Sequence, residues 1–137
     1  MLVRYEIALW NAVDQELARQ GQVNLGQLHG LRAVDRYDGR ARVQDVSADI
    51  GITVGAASKL VDRLERDGLT ARRANPDDRR SSLVELTATG RQALATGTAV
   101  RRRALAHAVG EEDVEVLTTG LRRLQSRLDE AGTGARA

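Results

Sequence analysis

The side chains best placed to do chemistry in this sequence are cations. Lys59 and Arg63 fall within the segment TVGAASKLVDRLERDG, and Arg72, Arg73, Arg79 and Arg80 follow it at close spacing. Guanidinium groups clustered in this way suit phosphate oxygens, and arginine is the side chain that enters a narrow, strongly negative minor groove. Other chemistries find little support. There is no cysteine, which removes disulfides, thiolate zinc sites and thiol redox sensing. His29 and His107 lie far apart, and neither is an identifiable base for Ser58, Ser81 or Ser82. No Gly-rich phosphate loop and no H-E-x-x-H motif is present. The acidic trio Glu111, Glu112 and Asp113 reads as helix-end electrostatics rather than a metal site. We therefore expect no enzyme, no cofactor and no metal centre.

The elements that must position the cations can be read around them. Thr53 is a natural N-cap for a helix that ends at Gly68. Val54, Ala57, Leu60, Val61 and Leu64 form its expected core stripe, leaving Gly55, Ala56, Lys59, Asp62, Arg63 and Arg66 on the opposite face. Small residues in the first turn let the backbone approach base edges, and Lys59 one turn later reaches bases or phosphate. Ahead of this helix, Val43, Val46 and Ile50 mark one face of a shorter one, with Gly51 in the turn between them. Behind it, Leu69–Ala74 and Ser82–Leu86 read as strands. Between them lies Asn75-Pro76-Asp77-Asp78-Arg79-Arg80, where Pro76 cannot join a ladder and Asn and Asp favour a turn. The result is a basic hairpin, or wing, with Arg72 and Arg73 at its base and Arg79 and Arg80 near its tip. The fold class is mainly α with a small β-wing: a winged helix-turn-helix that grips DNA.

The flanks imply a second chain. Leu2, Val3, Tyr5, Ile7, Leu9, Trp10, Val13 and Leu17 make the first helix apolar on more than one face. Near the other end Val114, Leu117, Leu121, Leu124 and Leu128 repeat at spacings of three and four, a coiled-coil-type seam. With no Phe, one Trp and two Tyr among 137 residues, a monomer core would be thin in large side chains. We expect a single domain: dimerisation helices at 1–22 and 97–130, the winged helix-turn-helix at 23–96, and a frayed tail at 131–137. Asn24 should cap a helix carrying Leu25, Leu28, Leu31 and Val34 that ends near Tyr37, before the Asp38-Gly39 turn. Thr87 should cap a long helix to about Val109, interrupted at Gly110. The net charge is only +2 although the pI is 9.6, so the positive field is local. Twenty arginines stand against one lysine, which GC-rich codon usage explains as readily as function. No apolar run approaches about 18 residues and no leader is recognisable, so a soluble, cytoplasmic protein is expected.

In LVDRLERDGL, RRANPDDRR and LVELTATGR the chain resembles the MarR (multiple antibiotic resistance regulator) family of winged helix-turn-helix transcriptional regulators. The likeness rests on the Asp78-x-Arg80 wing pair, on Leu86-Thr87-x-x-Gly90 and on Leu64-Glu65-x-x-Gly68-Leu69. It is strong from about Val43 to Gly90 and only a matter of pattern at the two ends. The resemblance implies a homodimer whose terminal helices intertwine, with Leu2, Tyr5, Leu9, Leu117, Leu121, Leu124 and Leu128 at the interface. It places residues 53–66 in a major groove, with Thr53, Gly55, Ala56, Ser58 and Lys59 toward the bases. Arg80 enters the adjacent minor groove with Arg79 beside it. Arg42, Arg63, Arg72 and Arg73 would face phosphate, and Asp78 would orient the wing. Two such heads read a pseudo-palindromic operator. A repressor released by a small aromatic or anionic ligand is the implied mechanism, with Trp10, His29, Arg32 and Tyr37 as candidate pocket residues. The alternatives are a winged-helix protein-interaction module or a metal-responsive regulator. Ser47 departs from the family's usual Ala, and Gly55-Ala56 leaves few polar groups for base reading, which shifts weight to Ser58, Lys59 and the wing.

Overall fold

The computed structural model describes residues 1–134. Three helices and a hairpin form the head: α2 (Leu25–Asp35), α3 (Val43–Ile50), α4 (Val54–Arg66), β1 (Thr70–Ala74) and β2 (Ser82–Leu86). The strands are antiparallel, in register from Thr70 opposite Leu86 to Ala74 opposite Ser82. Their shared core buries Leu31 and Val34 from α2, Val46 from α3, Val61 and Leu64 from α4 and Val84 from β2. Each such side chain contributes roughly 1.5–3 kcal/mol by leaving water.

The turn between α3 and α4 is stitched by one residue. Gly51 takes φ 78°, a left-handed conformation that a side chain would strain. The Ser47 carbonyl accepts the N–H groups of Gly51 (2.9 Å) and Ile52 (3.2 Å), while its hydroxyl donates to the Ile52 carbonyl at 2.6 Å. An alanine at position 47 lacks that last bond. Thr53 then caps α4 through its hydroxyl oxygen, which accepts the Ala56 N–H at 3.2 Å. One residue expected in the α4 core stripe is outside it. Val54 is 57% exposed, because at the first helical position its side chain points away before the stripe of Ala57, Leu60, Val61 and Leu64 turns inward.

Two further helices and the N-terminal one form a separate layer: α1 (Leu2–Arg19), α5 (Ala88–Val109) and α6 (Glu111–Gly134). Thr87 joins it to the head, donating to the Gly68 carbonyl at 2.7 Å and accepting the Gly90 N–H at 3.0 Å. Gly90 must be glycine: a Cβ there would stand 1.9 Å from the Leu69 carbonyl oxygen. A second core cluster of Val13, Leu17, Leu25, Leu28 and Val100 binds α1 and α5 to α2. Asp14 reinforces it by accepting the Leu25 N–H at 2.7 Å, beside the Asn24–Gln27 capping box. Thus α2 is packed into both cores and is the mechanical link between layer and head.

The outer faces of the layer are uncovered within one chain. On α1, Leu2, Tyr5, Ile7 and Trp10 are exposed and Leu9 is half-buried, with only Val13 and Leu17 buried. On α6, Val114, Leu117, Leu121, Leu124 and Leu128 are all exposed. The last helix also runs farther than its composition suggested. Residues 131–134, expected in the frayed tail, are helical, continuing the ladder of α6; residues 135–137 lie outside the described residues. No helix among the described residues is long and apolar enough to cross a membrane.

Candidate nucleic-acid interface

The head presents α4 and the wing side by side. On the exposed face of α4 lie Gly55, Ala56, Lys59, Asp62, Arg63 and Arg66, with Ser58 half-buried at its edge. The wing is shaped by short-range bonds in its turn. Buried Asn75 accepts the Asp77 N–H at 3.0 Å through Oδ1, and its amide donates to the Ser81 hydroxyl at 3.0 Å. Asp78 Oδ1 accepts the Arg80 N–H at 2.9 Å, so its carboxylate is turned into the loop while the Arg80 side chain projects from it. Farther back, the Val84 N–H donates to the Ala41 carbonyl at 2.7 Å, fixing the start of α3 against the hairpin.

The cations divide into two groups. Lys59, Arg63, Arg79 and Arg80 have no ion-pair partner among the described residues. Arg42, Arg72 and Arg73 are engaged. Arg42 binds Asp45 at 3.2 Å, and that bond holds its guanidinium above its ordinary pKa. Arg73 donates to the Gly39 carbonyl at 2.9 Å and pairs with Glu85 at 3.5 Å. Arg72 pairs with Asp62 at 2.6 Å and with Glu65. Its guanidinium is three-quarters covered and faces two carboxylates of α4.

The residues expected to line a ligand pocket are not all brought together. Trp10 and His29 meet edge-to-face with ring centroids 5.3 Å apart. His29 and Arg32 line a cleft of about 280 Å³ with Arg36, Asp49 and Ile50. Tyr37 does not join them. Past the end of α2, it lines a different cleft with Arg40, Arg42 and the wing residues Asn75, Asp77 and Asp78. Arg101 of α5 lies near enough to His29 and Arg32 for their charges to interact. Burial first, then the neighbouring Arg32 and Arg102, pull the Arg101 guanidinium below its ordinary pKa. Its Nε is buried without a hydrogen-bond partner among the described residues. Burial first, then Arg101 and Arg32, likewise lower the pKa of His29. The sequence carried no signal for Arg101, which sits in a run of three arginines on a long helix.

A family model described as the MarR family matches residues 23–82, from the approach to α2 to the start of β2. A MarR-family transcriptional regulator from Rhodococcus sp. RHA1 has the same fold over nearly the whole chain. The TM-score is 0.79 at 25% identity, covering 91% of this chain and 87% of that one. Over residues 23–82 the chain matches the MarR family, and its fold is that of a MarR-family regulator. The matched span is the winged helix-turn-helix head, and the structural likeness extends to the helical layer. The transcriptional regulator BldR from Sulfolobus solfataricus gives a TM-score of 0.80 at 26% identity, covering 92% of this chain and 90% of its own. At 23% identity the fold is shared with CouR from Rhodococcus jostii RHA1, solved with p-coumaroyl-CoA (TM-score 0.78; 93% and 87% covered). CouR, a transcriptional repressor, is also solved on a 23-mer DNA duplex (TM-score 0.80; 90% and 89% covered). No curated protein sequence matches the chain.

Proposed function

We propose that this chain is a homodimeric, sequence-specific DNA-binding transcriptional regulator, a repressor released by a small-molecule ligand. One observation carries the reading: on the two protruding elements, α4 and the wing, Lys59, Arg63, Arg79 and Arg80 have no partner among the described residues, whereas the cations between those elements are neutralised. Unpaired cations on two protrusions suit the phosphates of a duplex, with α4 in the major groove and Arg80 in the adjacent minor groove. Asp78, bonded back to the Arg80 backbone, keeps its carboxylate away from the phosphates. The relative CouR, solved on DNA, supports the same use of the fold.

The exposed apolar faces of α1 and α6 support pairing with a second copy, because a surface of that character is costly to leave in water. A two-fold axis through that layer sets two heads on half-sites about one helical turn apart. The group around Trp10, His29, Arg32 and Arg101 supports an anionic aromatic ligand. It offers ring faces and an excess of positive charge where α1, α2 and α5 meet. Because α2 is packed into both cores, a ligand that prefers one spacing of layer and head shifts DNA affinity by that preference and no more. Among the described residues no group of three His, Asp or Glu comes together as a metal site.

Sedimentation of the purified protein, followed by footprinting on the DNA upstream of its own gene, tests this reading. A dimer that protects one pseudo-palindrome is expected. A monomer at micromolar concentration, or binding no tighter than to unrelated DNA, contradicts it.

A further inference from the structure

The first turn of α4 presents carbon where base reading ordinarily calls for hydrogen-bonding groups. Val54 is 57% exposed and belongs to neither core cluster. Gly55 has no side chain, and the space a Cβ would occupy is open. Ala56 is exposed. The Thr53 hydroxyl oxygen accepts the Ala56 N–H at 3.2 Å, leaving its O–H as the one polar side-chain group of this turn. Past that hydroxyl, the turn offers methyl groups and bare backbone. Among the described residues no core side chain packs on Val54, and α4 packs chiefly on α2, α3 and β1.

Val54 also lines a cleft of about 340 Å³, with Val43 beside it and Arg42, Gln44, Asp78, Arg80 and Ser82 on the polar walls. A sugar-phosphate strand fits such a cleft with Gln44, Arg80 and Ser82 toward its oxygens, because Asp78 is bonded back to the Arg80 N–H and Arg42 is held by Asp45. A base carried on that strand then has its major-groove edge against Val54. The apolar feature on those edges is the C5-methyl of thymine. We infer that Val54, with Ala56 beside it, reads thymine by methyl contact, so that each half-site carries an A·T pair with its thymine under the first turn of α4. The inference rests on the DNA-binding reading above. Gly55 admits the close backbone approach, and Lys59, one turn on, supplies polar readout.

The test uses a duplex selected by the intact protein from a random pool, with its thymines replaced one at a time by deoxyuridine, which lacks only the methyl. At one position per half-site the loss should weaken binding about fourfold, and about fifteenfold when both half-sites are changed, as expected for one buried methyl each. Val54→Ser should make the protein indifferent to those replacements. Because Val54 is exposed at a helix start, the variant should melt like the parent, which circular dichroism checks. Equal affinity for every deoxyuridine duplex, or a Val54→Ser protein that keeps the parental penalty, overturns methyl reading while leaving DNA binding intact. Failure to select any DNA overturns both.

Discussion

Arg72 Nη2 lies 2.6 Å from Asp62 Oδ1, so the base of the wing is tied to the exposed face of α4. Glu65 completes the clamp, accepting both the Arg72 backbone N–H at 3.3 Å and its second guanidinium nitrogen. Burial opposes the charge on Arg72, yet its bonds to Asp62 and Glu65 outweigh that and raise its pKa. The clamp sets the angle between the two elements proposed to enter adjacent grooves. Arg40–Asp77 at 3.0 Å and Arg73–Gly39 at 2.9 Å brace the opposite side.

Replacing Arg72 by Ala should therefore weaken DNA binding by loosening geometry rather than by removing a phosphate contact. Affinity should fall while the slope of log affinity against log salt stays at the parental value. The partly exposed pairs contribute about 1 kcal/mol of stability at most, so the variant should remain folded. Exchanging the charges, Arg72→Glu with Glu65→Arg, should recover part of the affinity, which a phosphate-contacting Arg72 would not allow.

The seam on α6 gives a prediction about assembly. Leu121 and Leu124 are about half exposed in the single chain, and burial of both against a partner copy requires them to stay apolar. Leu121→Asp with Leu124→Asp should shift the protein to monomer in sedimentation at micromolar concentration. Site-selective DNA binding should be lost with the dimer, because one head alone reads only a half-site.

Gly90 is a close approach between layer and head. Gly90→Ala drives a methyl into the Leu69 carbonyl, which also accepts the Thr87 N–H at 3.1 Å, so relief requires breaking the α5 cap. A loss of about 3 kcal/mol or more is expected in urea unfolding. A parental midpoint would show that this junction yields easily.

His29 gives the pH dependence. Its pKa in the folded chain lies below the ordinary value of 6.5, chiefly through burial. The unfolded chain then binds the proton more readily, so stability is fully present above about pH 6.5 and declines as pH falls from there through the folded value. Unfolding midpoints compared between about pH 8 and about pH 5 should fall less in His29→Gln than in the parent. Trp10, the sole tryptophan, touches the imidazole and should report its protonation by fluorescence.

Much of the fold was legible because it is written in local signals. The caps at Asn24, Thr53 and Thr87 and the break at Gly110 fall where side-chain chemistry and periodicity place them. What the sequence could not convey depends on three-dimensional neighbours. Arg72 looks like any wing arginine until β1 brings it back beside Asp62 and Glu65. Val54 fits the α4 stripe by spacing alone, yet at the helix start no core element faces it. Tyr37 lies near Arg32 in sequence, but the end of α2 at Asp35 sends it toward the wing. Arg101 is distant in sequence from His29 and becomes its neighbour only through the packing of α5 on α1 and α2.

In the proposed complex the unpaired wing cation Arg80 grips DNA, while the paired Arg72 only positions the wing. Equilibrium binding to the selected duplex, titrated with salt for the parent, Arg80→Ala and Arg72→Ala, tests it most directly. Arg80→Ala is expected to reduce the salt slope by about one for each phosphate it no longer neutralises in each subunit, and Arg72→Ala to leave the slope unchanged. A parental slope for Arg80→Ala, or a reduced slope for Arg72→Ala, would contradict it.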